Sequence, residues 1–83
     1  MSLALKVVSP EGTLLDTQAD SVQLPALDGS LGVMPGHRDM VLALSAGDIR
    51  YRQGANWHTF PIAGGLAQMN ANCLTVLADA GNV

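Results

Sequence analysis

The stretch Asp48-Ile49-Arg50-Tyr51-Arg52-Gln53-Gly54-Ala55-Asn56-Trp57-His58-Thr59-Phe60-Pro61 decides the fold. Ile49 and Tyr51 share one side of an extended chain, and Arg50 and Arg52 share the other. Alternation with period two marks a strand with one buried and one wet face. Gln53-Gly54-Ala55-Asn56 then has the composition of a tight loop, and a second extended segment follows it. The stretch reads as a β-hairpin over 48–61.

The same signals recur on both sides of it. Leu3, Leu5 and Val7 alternate against Lys6, and Val22 and Leu24 are predicted to face inward. Cys73-Leu74-Thr75-Val76-Leu77 has the apolar, β-branched make-up of a central strand. Turn signals punctuate the chain at Pro10-Glu11-Gly12, Asp28-Gly29, Pro35-Gly36, Ala46-Gly47-Asp48, Gly64-Gly65 and Asn70-Ala71-Asn72. Eight to ten short strands are therefore predicted, near 3–9, 12–19, 21–25, 30–33, 40–45, 48–52, 57–61, 65–69 and 73–78. Only 38–45 leaves room for one short helical turn. The expected architecture is an all-β sandwich or barrel, a single domain over residues 1–83.

Composition excludes several function classes. A chain that is 48% hydrophobic and 13% charged is not a disordered tail. Nine glycines and few long charged side chains argue against a helical bundle. The net charge of -3, with Lys6, Arg38, Arg50 and Arg52 as the only cations, provides no basic stripe for nucleic acid or anionic lipid. Cys73 is the single cysteine, so neither an internal disulfide nor a cysteine-based zinc site is expected. No apolar run reaches the roughly 18 residues of a membrane span, and no secretory signal is read at the N-terminus.

Few residues suggest chemistry. His37, Arg38 and Asp39 are consecutive, with Asp28 and Ser30 upstream. Ser30 lacks a Gly-x-Ser-x-Gly elbow, and neighbouring side chains diverge on an extended strand, so no catalytic residues are assigned. His37 and His58 lack metal-ligand spacing, and no metal or cofactor is expected. Gly29, Gly32 and Gly36 lack the Lys-Ser/Thr of a phosphate loop and read as turn geometry. Gly64-Gly65 reads as a kink or bulge where strands or a partner approach closely. Trp57 and Tyr51 are candidate partner anchors, but Trp57 is expected first in the core of so aromatic-poor a chain. Met34, Met40 and Met69 are expected as core fillers.

Asp28-Gly29-Ser30-Leu31-Gly32-Val33-Met34-Pro35-Gly36-His37 resembles the Gly-Glu-Leu-Gly-(Ile/Val)-x-Pro-Gly-His signature of the epsilon subunit of F-type ATP synthases. Further similar motifs follow in family order. They are Leu5 to Gly12, Ser21 to Pro25, Ala63 to Met69 and Leu74 to Asp79. The resemblance covers about residues 4–80. It implies a ten-stranded β-sandwich and a non-catalytic rotor subunit of the central stalk, bound to the gamma subunit and the ring of c subunits. The implied location is peripheral, on the cytoplasmic face of the bacterial plasma membrane. Carried over by position, the implied c-ring contact is Ala26, Leu27, Asp28, Gly29, Ser30 and Leu31. The implied gamma contact is Ser9, His37, Arg38 and Leu42.

Two positions depart from the family pattern. Ser30 stands where the family has Glu, with Asp28 as a nearby acidic substitute. Arg38-Asp39 replaces the usual Ala-Pro, which implies a gamma partner of matching charge. The family's C-terminal helical hairpin is not present in these 83 residues, so neither ATP binding nor hairpin-type inhibition is expected of them. The competing readings are another small β-sandwich binding module and a lipoyl- or biotinyl-type carrier domain, the latter needing a lysine at a hairpin tip. The only lysine is Lys6, inside the first predicted strand. A free strand edge or an apolar gamma-facing patch is expected to drive weak self-association of the isolated chain.

Overall fold

The computed structural model describes residues 1–79. Nine strands form where the alternation is strongest. They are β1 (Leu3–Ser9), β2 (Gly12–Ala19), β3 (Ser21–Ala26), β4 (Gly29–Val33), β5 (Met40–Leu44), β6 (Gly47–Gln53), β7 (Asn56–Ile62), β8 (Gly65–Asn70) and β9 (Cys73–Ala78). No helix forms among the described residues, and 38–45 enters β5 directly. Among the described residues the count is nine, within the eight to ten read from the alternation, where the family resemblance implies ten.

Hydrogen bonding runs in the order β2-β1-β9-β8-β5-β3-β6-β7, with β4 on the remaining edge of β3. The β5–β3 junction is a single residue pair, Ala26 with Leu44. The Ser45 N–H and hydroxyl reinforce it by donating to the Pro25 carbonyl at 2.8 and 3.1 Å. At this narrow hinge the sheet turns over into two layers, β2-β1-β9-β8-β5 and β4-β3-β6-β7. The β1–β9 pair is parallel and every other pair is antiparallel.

One core fills the space between the layers. Leu3, Leu5, Val7, Ala67, Met69, Leu74 and Val76 enter it from the first layer, and Val22, Leu24, Val33, Ile49 and Ile62 from the second. These are the period-two positions of their strands, so burial follows from the pleat. No polar or charged side chain is buried among the described residues. Such a core has no polar group to desolvate, and its cohesion comes from apolar area and close packing.

The structure corrects three expectations. Ile49 pairs Phe60 and Tyr51 pairs His58, which places Trp57 opposite Arg52 on the outer face. Trp57 is 46% exposed and is no core residue. Met69 is buried and Met40 packs against the core, but Met34 is exposed, because Val33 takes the last inward position before the chain leaves β4. The hairpin loop is also tighter than read: Gln53 pairs Asn56, leaving only Gly54-Ala55 in the turn.

Candidate functional site

Three exposed surfaces stand out from the body. The first is the β3–β4 hairpin tip. Ala26 pairs Gly29, so Leu27 and Asp28 form a two-residue turn. Leu27 is 68% exposed at its apex, and Asp28, Gly29 and Ser30 are exposed beside it. Leu31 and Ala26 turn back toward the core and anchor the tip. All six residues of the expected c-ring contact are thus brought together, with an apolar apex and one carboxylate.

The second surface is the outer face of the first layer. Val8 pairs Leu77, Leu77 pairs Leu66, and Leu66 pairs Ala43. These side chains point away from the core and line up across four strands. Leu77 is 45% exposed. Leu14 adjoins the row, because a bulge between Val7 and Val8 leaves it unpaired and exposed. Exposed Val41 lies two residues along β5. Contiguous apolar exposure of this kind marks a docking surface, whereas single exposed leucines do not.

The third lies at the far end of the sandwich, in the loop 34–39. Met34-Pro35-Gly36-His37 is a turn closed by the His37 N–H donating to the Met34 carbonyl at 3.0 Å. Pro35 presets its first central position, and Gly36 supplies φ +83° at the second. The Asn70–Cys73 hairpin turn pins this loop. Asn72 Oδ1 accepts from the Gly36 N–H at 2.9 Å, and its Nδ2 donates to the Ser2 carbonyl at 2.9 Å. Asp39 Oδ1 accepts from the Ala71 N–H at 3.3 Å. Sequence reasoning missed Asn72 as an organiser, since its partners lie 36 and 70 residues away in the chain.

Ala71 and Asn72 hold that turn with φ of 52° and 62°. Left-handed backbone costs an L-residue roughly 1–2 kcal/mol, part of which Asn recovers locally. Ala71→Gly therefore raises stability by about 0.5 kcal/mol after the added unfolded-state entropy of glycine, and Ala71→Val lowers it. Urea unfolding of the three proteins checks both signs.

The expected gamma contacts do not form one cluster. Ser9 ends β1 beside the apolar row, with its hydroxyl 3.2 Å from Glu11 Oε1. His37 and Arg38 precede β5 at the opposite end, about five strand residues or roughly 17 Å away along the sheet. Leu42 lies between them but packs against the core. Ser9, on β1 inside the β2 edge, and Arg38, just before β5, lie at opposite ends of the first layer. A standard interface of about 800 Å² per partner is wide enough to reach both.

The polar residues weighed for chemistry stay apart. The His37 Nδ1–H donates to the Arg38 carbonyl at 2.8 Å, Asp39 is committed to Ala71, and Ser30 sits at the other end of β4. No group of three or more His, Cys, Asp or Glu side chains is placed to hold a metal ion among the described residues. Lys6 lies mid-strand, paired with Asp16 on one side and Thr75 on the other, so it is not at the hairpin tip that a carrier domain needs.

The geometry defines a class: a small all-β sandwich whose distinguishing features are an exposed hairpin tip, an exposed apolar row and a pinned end loop. The sequence then fixes the family. Residues 2–82 match the ATP synthase Delta/Epsilon chain beta-sandwich domain, and the chain belongs to that family. It is 36% identical to the ATP synthase epsilon chain of Synechococcus sp. (strain CC9311) over 83 residues, which is 100% of this chain and 62% of that one. It is 39% identical to the epsilon chain of Prochlorococcus marinus (strain MIT 9211), again with 100% of this chain and 62% of that one covered. The chain thus spans about three fifths of the length of these relatives. Its fold is shared with a chain in the cryo-EM structure of Euglena gracilis mitochondrial ATP synthase, with a TM-score of 0.84 at 20% identity over 93% of this chain and 50% of that one. It is shared too with a chain of the Tetrahymena thermophila mitochondrial ATP synthase central stalk and c-ring, with a TM-score of 0.76 at 14% identity over 95% of this chain and 64% of that one.

Proposed function

We infer that this chain acts as the sandwich domain of a non-catalytic central-stalk subunit in an F-type ATP synthase. It seats on the c-ring through the Leu27–Asp28 tip and on the gamma subunit through the outer face of its first layer. In that place it couples ion flow to the turning of gamma, at the cytoplasmic face of the bacterial plasma membrane. The observation that carries this reading is the family match over residues 2–82, on a fold that keeps both surfaces exposed. An apolar core and two hydrogen-bonded layers make a stiff body, which is what transmission of torque requires.

The row Val8, Leu77, Leu66 and Ala43 supplies apolar contact to gamma, and Arg38 supplies a charge at its margin. Burying one leucine is worth roughly 1.5–3 kcal/mol. Leu77→Asp therefore weakens capture of a co-expressed gamma subunit by about tenfold or more. Arg38→Glu weakens it less and in a salt-dependent way. Both positions are exposed, so circular dichroism of each isolated variant stays that of the parent. Full gamma binding by Leu77→Asp would move the contact off this face. A chain that never co-purifies with gamma would end the stalk reading.

A further inference from the structure

Among the described residues, three strands end the sheet: β2, β4 and β7. An open strand edge is a row of unpaired N–H and C=O groups, which folded chains blunt with bulges, charge or extreme shortness. Two of the edges are blunted here. β2 is bulged against β1 at Val7 and Val8 and carries Asp16, and Gln53 Nε2 donates to its Gln18 carbonyl at 2.7 Å. β4 has five residues, two of them glycine. β7 is different. It is Asn56-Trp57-His58-Thr59-Phe60-Pro61-Ile62, with no bulge against β6 and no Asp, Glu, Lys or Arg.

The free backbone groups have a definite centre. Gln53 and Asn56 close a two-residue turn and form a hydrogen-bonded pair. By alternation, the backbone groups of Trp57, Thr59 and Pro61 face away from β6. The side chains of these three share the outer face, and His58 and Phe60 point to the other. Thr59 is the midpoint, and the strand reads alike from both ends. Trp57 and Pro61 stand two residues from it on the outer face, and the rings of His58 and Phe60 flank it on the inner one. Trp57, His58, Thr59 and Pro61 are all exposed.

Charge selects the occupant. On β6, Arg52 stands beside Trp57, Arg50 beside Thr59 and Asp48 beside Pro61. Cations thus flank one end of β7 and a carboxylate flanks the other. Two copies set edge to edge about Thr59 run antiparallel, so the Arg52 end of each meets the Asp48 end of the other. The Arg50 guanidinium lies 5.7 Å from the centre of the Trp57 ring, so it leans along the strand and away from the midpoint. The two Arg50 side chains therefore do not confront each other. A uniformly acidic or basic strand would match one end of β7 and oppose the other.

We propose that β7 pairs with β7 of a second copy of this chain, antiparallel and centred on Thr59. The two Thr59 residues exchange N–H···O=C bonds, and each Trp57 N–H donates to the Pro61 carbonyl of the other copy. Trp57 packs on Pro61 on the outer face and His58 on Phe60 on the inner one, in both directions. Pro61 has no N–H to return, so the ladder ends there. So short a pairing covers less than the roughly 800 Å² per partner of a standard interface, and its Kd is on the order of 0.1–1 mM. β7 lies in the layer opposite the apolar row. The inference does not depend on the stalk reading, and it assigns the self-association expected of the isolated chain to one edge.

Sedimentation equilibrium of the 83-residue chain, from about 10 μM to about 2 mM at physiological ionic strength, follows the dimer. Thr59→Lys sets two ammonium groups against each other at the centre and weakens self-association about fivefold or more. Leu77→Asp, on the other layer, leaves it within about twofold. Circular dichroism checks that both variants fold. A cross-link supplies a second measurement. A hydrogen-bonded antiparallel pair holds its Cα atoms about 5.5 Å apart, within reach of a disulfide. In a Cys73→Ser background, Thr59→Cys therefore gives linked dimers in glutathione buffer about fivefold or more faster than Ser30→Cys on the β4 edge. The cross-link decides the matter should Thr59→Lys not fold. Three results would overturn the proposal. They are a chain that stays monomeric at every concentration, self-association lost in Leu77→Asp but kept in Thr59→Lys, and equal cross-linking of the two cysteine variants.

Discussion

Gly65→Ala is expected to remove a large part of the stability of this domain. Gly65 begins β8, between Leu44 of β5 and Ala78 of β9. A Cβ there would press into the carbonyl oxygen of Leu77 and stand 3.1 Å from the Ala78 Cα. Those atoms are backbone, so no rotamer change relieves the clash, and β9 itself must shift. The backbone compounds the problem, because φ is +153°, a conformation that L-residues rarely adopt. Overpacking costs roughly 1–3 kcal/mol and the strained backbone roughly 1–3 more, about 2–6 together. A chain of this length holds on the order of 4–12 kcal/mol in all. The urea midpoint should therefore fall sharply, with a drop in melting temperature of about 8 °C or more. Gly32→Ala is the matched control, since its Cβ meets nothing within 4 Å and its stability should stay within about 0.5 kcal/mol. A Gly65→Ala domain that melts like the parent would show that β8 and β9 do not approach as closely as described.

This close approach was half legible in the sequence. Paired glycines between apolar segments announce a tight contact or bulge, but not which strand supplies it. The strands themselves were nearly all legible, because each carries its own alternation. Leu3, Leu5 and Val7, or Leu74 and Val76, declare an inward face without reference to any partner. The scarcity of aromatics points Trp57 to the core, but its parity in β7 points it outward. Phe60 and Ile62 share the inward face of β7, and Trp57 stands an odd number of residues from both. Asn72 was invisible for a different reason. Its hydrogen bonds to Gly36 and Ser2 exist only after the sheet has closed.

The candidate surfaces divide in the same way. The Ala26–Leu31 tip is contiguous in sequence, so a motif can carry it whole. The apolar row is assembled by register from β1, β9, β8 and β5, and none of those strands shows it alone. Leu66 and Leu77 each look like ordinary apolar strand residues until pairing sets them side by side on the wet face. The expected gamma residues, two loop positions (His37 and Arg38) and two strand positions (Ser9 and Leu42), do not describe that face.

The inner counterpart of that row carries the second large effect. Leu5 pairs Leu74, Leu74 pairs Met69, and Met69 pairs Met40, all on the core side of the first layer. Leu74 is fully buried at the centre of this row, flanked by β1 on one side and β8 on the other. Strands held on both edges relax little, so the space left by Leu74→Ala stays largely open. Loss of transfer energy plus the cavity costs about 3–4 kcal/mol, within the usual 2–5 for such a truncation. With a urea m-value of roughly 1 kcal/mol/M for so small a domain, the midpoint falls by about 3 M while m stays constant. Leu77→Ala, three residues on and facing outward, costs about 1 kcal/mol or less in the isolated domain. The same pair separates packing from docking. Leu74→Ala lowers gamma capture only to the extent that it unfolds the chain, and recovers it on cooling or in a stabilising osmolyte. Leu77→Ala lowers gamma capture with the fold intact and is not rescued. Equal destabilisation by the two substitutions would mean that the outward row is core after all, and that the first layer has no free face to offer.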